Sequence, residues 1–239
     1  DFFIVNEDDE LLRAWHMKSP PKSKVLKFSN STQMKVRNAY HYGKSEFSSF
    51  LQGKHNRYNI NAAAIACKII GISPKNVVAG VADFEPLPHR LQFVGEFNEI
   101  KFYNDSISTI PQATIAALQA VPKVQTLILG GFDRGIDYTV LTDYLVENPV
   151  ENIILIGEAG KRIRHIWVKM LIENPKHKKL NINFFDADNY SDVVDIAKRH
   201  TSKGKVVLLS PAAASYDMFK NFEHRGNVFM ELVKKSVIL

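Results

Sequence analysis

The chain has 239 residues, 45% hydrophobic and 23% charged, with a net charge of +6 and a pI near 9.2. This is ordinary globular composition, enough for one large domain or two smaller ones, and the mild positive charge suits anionic ligands. No Lys/Arg run alternates with aromatics and no apolar run nears the ~20 residues of a membrane span, so neither a nucleic-acid nor a membrane partner is expected.

In chain order, residues 2–5 read as a strand, 7–14 as a short helix and 25–28 as a second strand. A long polar stretch runs from 29 to 49. Residues 56–70 form a strong helical pattern closed by Gly71. Its Cys67 is the only cysteine, which excludes an intramolecular disulfide and reads as a buried structural thiol. With no signal-peptide pattern at the start, the expected setting is reducing and cytoplasmic. Ser73 and Pro74 open a further helix to residue 84, as cap and first helical residue. The linker Leu87-Pro-His89 then divides the chain into segments 1–86 and 87–239.

From Leu91 the pattern is α/β. Residues 91–94 and 100–103 flank a hairpin at 96–99. Helices are expected at 111–121, 140–146, 159–172 and 191–199, and strands at 126–129, 152–156, 184–185 and 206–209. Strands that are continuous apolar runs between helices argue a parallel sheet covered on both faces. Ligands bind beyond the carboxyl ends of such strands. Three motifs fall there: Asn104-Asp105-Ser106, Gly130-Gly131 and Ser210 to Ser215.

The last of these opens the most informative segment, Ser210-Pro-Ala-Ala-Ala-Ser-Tyr-Asp-Met-Phe-Lys-Asn-Phe-Glu-His-Arg-Gly226. Small residues at 212–214 let backbone approach a ligand, and Ser215 is placed to cap a helix whose N–H groups favour an anion. Helical spacing continues through Val228, Phe229, Leu232 and Val233. Taken alone, several residues have plainer readings. An Asn opening a helix is usually a cap, Arg90 a solvated linker arginine, Asp105 an Asx turn, and the paired glycines turn punctuation. Asn59 stands one turn inside its helix, where an outward amide offers donor and acceptor together and suits an adenine edge.

That C-terminal segment, with Gly53-Lys-His-Asn-Arg-Tyr-Asn59, Leu87-Pro-His-Arg90, Tyr103-Asn-Asp-Ser106 and Gly130-Gly-Phe-Asp-Arg134, resembles the Mur ligases in the family's order. These are ATP-dependent amide ligases of peptidoglycan precursor synthesis, and the ending is most similar to their glutamate-adding members. The resemblance implies that residues 1–86 are the remainder of a central ATP-binding domain and 87–239 a C-terminal, glutamate-binding Rossmann-like domain. It implies ATP contacts from Asn59 (adenine), Arg90 and Asp105 (near the ribose). It implies that Thr109, Arg134, Ser215 and Phe222 hold the incoming glutamate. The reaction implied is addition of D-glutamate to UDP-N-acetylmuramoyl-L-alanine through an acyl phosphate.

Two departures stand out. Ile107 occupies a position where the family has lysine, a change that resembles relatives adding L-glutamate. The Gly-rich phosphate loop ending in Gly-Lys-Ser/Thr is absent. The Mg2+ ligands and the domain that holds most of the UDP-sugar are expected outside this chain, which then reads as the C-terminal part of a longer ligase, inactive alone. A non-catalytic Rossmann-like binding domain is the alternative of a different class.

Overall fold

The computed structural model describes residues 1–29, 54–173 and 180–235, which form two compact units, Asp1–Pro86 and Leu87–Leu239. Most of the polar stretch at 29–49, and Gly53, lie outside the described residues.

In the first unit, β1 (Phe2–Asn6) and β2 (Lys24–Phe28) pair in parallel, joined by α1 (Glu10–Lys18). A parallel pair needs such a crossover. The helix starts later than the expected residue 7. The backbone N–H of Asp8 is drawn into a turn by Asn6 Oδ1 at 3.1 Å, and Asp9 is the cap, accepting from the Leu12 N–H at 2.9 Å. Helix α2 (Lys54–Ile69) lies against both strands, burying Ala64 and Ile65, and Asn61 Nδ2 donates to the Ser29 carbonyl at 3.1 Å. Cys67 is half-buried, less enclosed than its apolar sequence context suggested. Helix α3 (Pro74–Ala82) follows, capped by Ser73 as expected.

The second unit is α/β with a mostly parallel sheet. Its elements are β3 (Gln92–Phe97), β4 (Ile100–Asn104), α4 (Pro111–Ala120), β5 (Val124–Gly130), α5 (Thr139–Glu147), β6 (Asn152–Ile156), α6 (Gly157–Glu173), β7 (Asn183–Ala187), α7 (Tyr190–His200), β8 (Val206–Leu209) and α8 (Phe222–Lys235). The strand order is β3-β4-β8-β5-β6-β7, with only β3 antiparallel to its neighbour. The β3–β4 hairpin turns on Asn98 and Glu99 alone, both at positive φ (52° and 65°), the signature of a tight two-residue loop.

Alternation along the central strands feeds two separate cores. Leu127, Leu129, Leu155 and Leu208 join Leu141, Ile163 and Trp167 of α5 and α6 on one face. Ile128, Ile154, Val207 and Leu209 join Val193 of α7 and Phe229 of α8 on the other. Both faces are therefore apolar, and the strand ends are where polar groups collect. Among the described residues no helix is long and apolar enough to cross a membrane.

The C-terminal segment differs from expectation in one respect. No helix begins at Ser215: its carbonyl accepts from the N–H groups of Met218 and Phe219 (3.3 and 2.9 Å) to close a single turn. The helix that follows starts at Phe222, where Asn221 Oδ1 accepts from the His224 N–H at 2.8 Å. Asn221 immediately precedes the helix, so its amide oxygen and not the Ser215 hydroxyl takes the cap position.

Gly130 shows how tightly the strand ends are fitted. Its φ is 109°, and a Cβ there would lie 2.0 Å from the Ile156 carbonyl oxygen. Gly130→Ala is therefore expected to destabilise the protein by about 3 kcal/mol or more in urea unfolding, and a loss under about 0.5 kcal/mol would contradict this close approach.

Candidate functional site

Strands β4, β8 and β5 are neighbours, so the loops that leave their carboxyl ends are neighbours too. Arg225 of α8 joins them. It is 1% exposed, and Nε donates to Ser106 Oγ (2.9 Å), Nη2 to the Ser106 carbonyl (2.8 Å), and Nη1 to the carbonyls of Ala213 (3.0 Å) and Ala214 (3.1 Å). Burial pulls its pKa down, while Tyr190 and Asp217 act in the opposite sense. A guanidinium stays charged through this range, so its partners are a requirement of the fold. Gly131 completes the junction: a Cβ there would lie 2.4 Å from the Ala214 oxygen and 3.1 Å from Arg225 Nη1.

A second buried network adjoins it. Asp105 is 2% exposed; Oδ1 accepts from the Leu91 N–H (3.1 Å), and Oδ2 accepts from Ser210 Oγ (2.8 Å) and Ser108 Oγ. Burial pushes its carboxyl up to about 6, against the hydrogen bonds from Ser108, Ser210 and Leu91 and the Arg90 charge. His89, at φ 63°, is 5% exposed and lies 2.9 Å through Nδ1 from Asn104 Nδ2. The amide can only donate there, so Nδ1 accepts and the ring is neutral with its proton on Nε2. Burial lowers the His89 pKa, with the Glu223 charge opposing. A Cβ on Gly226 would sit 2.2 Å from His89 Nδ1, so only glycine admits the imidazole there.

The four residues expected to hold an amino acid lie on these adjoining loops. Arg134 is exposed, and its Nη2 donates to the Thr109 carbonyl at 2.9 Å, linking the loops after β5 and β4. Ser215 is buried beside Ala214, whose carbonyl accepts from the Phe132 N–H at 2.9 Å. Phe222 opens α8; its carbonyl accepts from Ser106 Oγ at 2.8 Å, and its ring meets His89 edge-on at 6.1 Å. Ile107 follows Ser106 and is half-buried.

The three residues expected at a nucleotide are less alike. Arg90 is exposed, whereas both oxygens of Asp105 are engaged within the fold. Asn59 is exposed on α2 in the first unit, 3.4 Å from Asn56 Oδ1.

Sequence reasoning passed over Arg225, His89 and Asn104, although each stands inside a quoted motif. An arginine beside a glycine in an amphipathic helix was the available signal, because Gly226 and Arg225 serve one tight junction. Among the described residues no group of three or more His, Cys, Asp or Glu is placed to hold a metal ion.

The fold is that of a Rossmann-like domain of the mostly parallel α/β class. No model of a known protein family matches the chain. It is 31% identical over 244 residues to UDP-N-acetylmuramoylalanine–D-glutamate ligase of Clostridium tetani, covering 98% of this chain and 51% of that protein. The enzyme of the same name from Aquifex aeolicus is 37% identical over 185 residues, 77% of this chain and 42% of the relative. A crystal structure of MurF from Acinetobacter baumannii superposes with a TM-score of 0.68 at 15% identity, over 98% of this chain and 51% of that one. MurF of Thermotoga maritima in complex with ADP gives 0.61 at 15% identity, over 98% and 54%. The chain belongs to the Mur ligase family and spans about half the length of the curated relatives it matches.

The Asp105 environment has a measurable consequence. A carboxyl raised from its ordinary 3.8 to about 6 takes up a proton more readily folded than unfolded. Stability therefore falls as pH rises through that window, and the penalty of about 3 kcal/mol is complete above it. Relative to the Asp105→Asn variant, the wild-type protein is expected to lose about that much stability between about pH 4 and pH 7 in urea unfolding. A pH-independent difference between the two would contradict the assignment.

Proposed function

We propose that this chain forms the amino-acid-receiving part of an ATP-dependent ligase that adds D-glutamate to UDP-N-acetylmuramoyl-L-alanine in the cytoplasm. The observation that carries the reading is the convergence of Thr109, Arg134, Ser215 and Phe222 on adjoining loops beyond β4, β5 and β8. Glutamate brings two carboxylates, which call for a cation, hydroxyls and the N–H groups of a helix start. Arg134 spends one N–H on the Thr109 carbonyl and keeps further donors for a carboxylate. Ser215 supplies a hydroxyl and Phe222 a backbone N–H at the start of α8. The names of the relatives favour the D isomer. Ile107 leaves the pocket one cation short of the family pattern, so Arg134 carries more of the recognition.

In this reading residues 1–86 belong to the central, ATP-binding domain and 87–239 form the amino-acid domain. Asn59 and Arg90 face the nucleotide, Asn59 toward adenine. Asp105 acts on the nucleotide side through the backbone: it fixes the Leu91 N–H and so the segment that presents Arg90. ATP, when bound, supplies phosphorylation of the acceptor carboxylate, which turns a poor electrophile into one an amine attacks. The residues of this chain hold the attacking amine in place by gripping the carboxylates of its carrier. Orientation of this kind is a large share of catalysis between two bound substrates.

The test is substitution in the intact ligase. Arg134→Ala is expected to raise the KM for D-glutamate about ten- to a hundredfold, the effect of losing a charge-assisted contact, with the KM for ATP nearly unchanged. D-glutamate is expected to be consumed in preference to L-glutamate. An equal rise in both KM values, or preference for the L isomer, would contradict the reading.

A further inference from the structure

The loop that carries Arg134 is held from both sides. Asp133, just before it, accepts from Arg162 Nη1 through both oxygens, at 3.0 and 3.1 Å. Asp133 Oδ1 also accepts from the N–H of Gly135, just after it, at 2.9 Å. One carboxylate thus closes the turn around Arg134 and tethers it to α6. Arg162 is itself fixed, because its guanidinium carbon lies 5.6 Å from the ring centroid of Tyr138, which is fully buried at the start of α5. Stacking on a ring and a grip on both carboxylate oxygens leave the guanidinium little freedom. At the far end, Arg134 Nη2 reaches the Thr109 carbonyl.

We propose that Arg162 is a positioning residue for amino-acid recognition: it holds Asp133, and through Asp133 the turn that presents Arg134 to the substrate carboxylate. The proposal rests on the assignment of Arg134 given above. Arg162 touches no substrate. Its side chain and that of Asp133 are 36% and 23% exposed, and an ion pair so placed contributes little to overall stability. Its removal is therefore read in substrate binding and not in folding. Sequence order alone gives no hint of the pairing, since 29 residues separate the two.

The experiment is a double-substitution cycle in the intact ligase. Arg162→Ala and Asp133→Asn are each expected to raise the KM for glutamate about tenfold, with kcat and the KM for ATP within about twofold of wild type. The double variant is expected to be no worse than the more affected single one, because both act through one contact. Arg162→Lys, which keeps the charge and loses the planar stack, recovers part of the loss and serves if the alanine variant folds poorly. Arg134→Ala is run alongside. If it raises the glutamate KM while Arg162→Ala and Arg162→Lys leave it unchanged, the positioning role is overturned and the amino-acid reading survives. Additive effects in the double variant, or equal losses in the two KM values, also overturn it. If Arg134→Ala itself has no effect on glutamate, the amino-acid reading fails and the role of Arg162 falls with it.

Discussion

Arg225 gives its N–H groups to Ser106, Ala213 and Ala214 while 1% exposed, and no carboxylate shares that space among its hydrogen-bond partners. A guanidinium cannot shed its proton to escape burial, so it demands acceptors, and here main-chain carbonyls from two strand ends supply most of them. The constraint runs both ways. The carbonyls of Ser106 and Ala213 lie beyond the last ladder bonds of their strands and depend on that donor, while the Ala214 carbonyl also accepts from the Phe132 N–H. One side chain from α8 thus fixes where the loops after β4 and β8 stop, and Gly131 lets the loop after β5 come against them.

Several features of the sequence follow from that junction. The run Ala212-Ala-Ala214 is fully enclosed, and the carbonyls of Ala213 and Ala214 accept from Arg225. Gly226 follows Arg225 because the next position on the helix faces the His89 imidazole. His89 in turn holds Asn104, and Asn104 Oδ1 accepts from the Ser106 N–H at 3.1 Å. Asp105 points the other way and binds the segment at Leu91 to Ser210. Adjacent residues 104, 105 and 106 thereby connect the start of the second unit, the end of β8 and the start of α8. The exposed groups, Arg90 and Arg134, stand on loops whose buried neighbours have already been fixed. Rigid support of this sort is what a binding side chain needs to be in place before its ligand arrives.

The architecture of the second unit was largely legible. Unbroken apolar runs located β5, β6 and β8, and the motif positions identified which strand ends would carry polar groups. Element ends were less so: the hairpin at Asn98 and Glu99 is tighter than four residues, because Asn and Glu accept positive φ there without a glycine to announce it. Ser215, after the small residues at a strand end, read as the cap of the last helix. That helix starts at Phe222 instead, with Asn221 as the residue whose oxygen accepts from the His224 N–H. The buried Arg225 and the Arg162–Asp133 pair were not legible, since a side chain's partner across the sheet is fixed by tertiary packing and leaves no periodic trace. Strand order carried the same limit. That β8 inserts between β4 and β5 brings three motifs together, and no local pattern states it.

The central claim is that the loops beyond β4, β5 and β8 receive an amino acid. Chemical-shift mapping of D-glutamate on the isotope-labelled 239-residue chain tests it most directly. Perturbations concentrated at 106–109, 131–134 and 215–222, with the Arg134 side-chain resonances among the most displaced, are the result the account predicts. Shifts centred on the first unit, or on the opposite ends of the same strands, would contradict it.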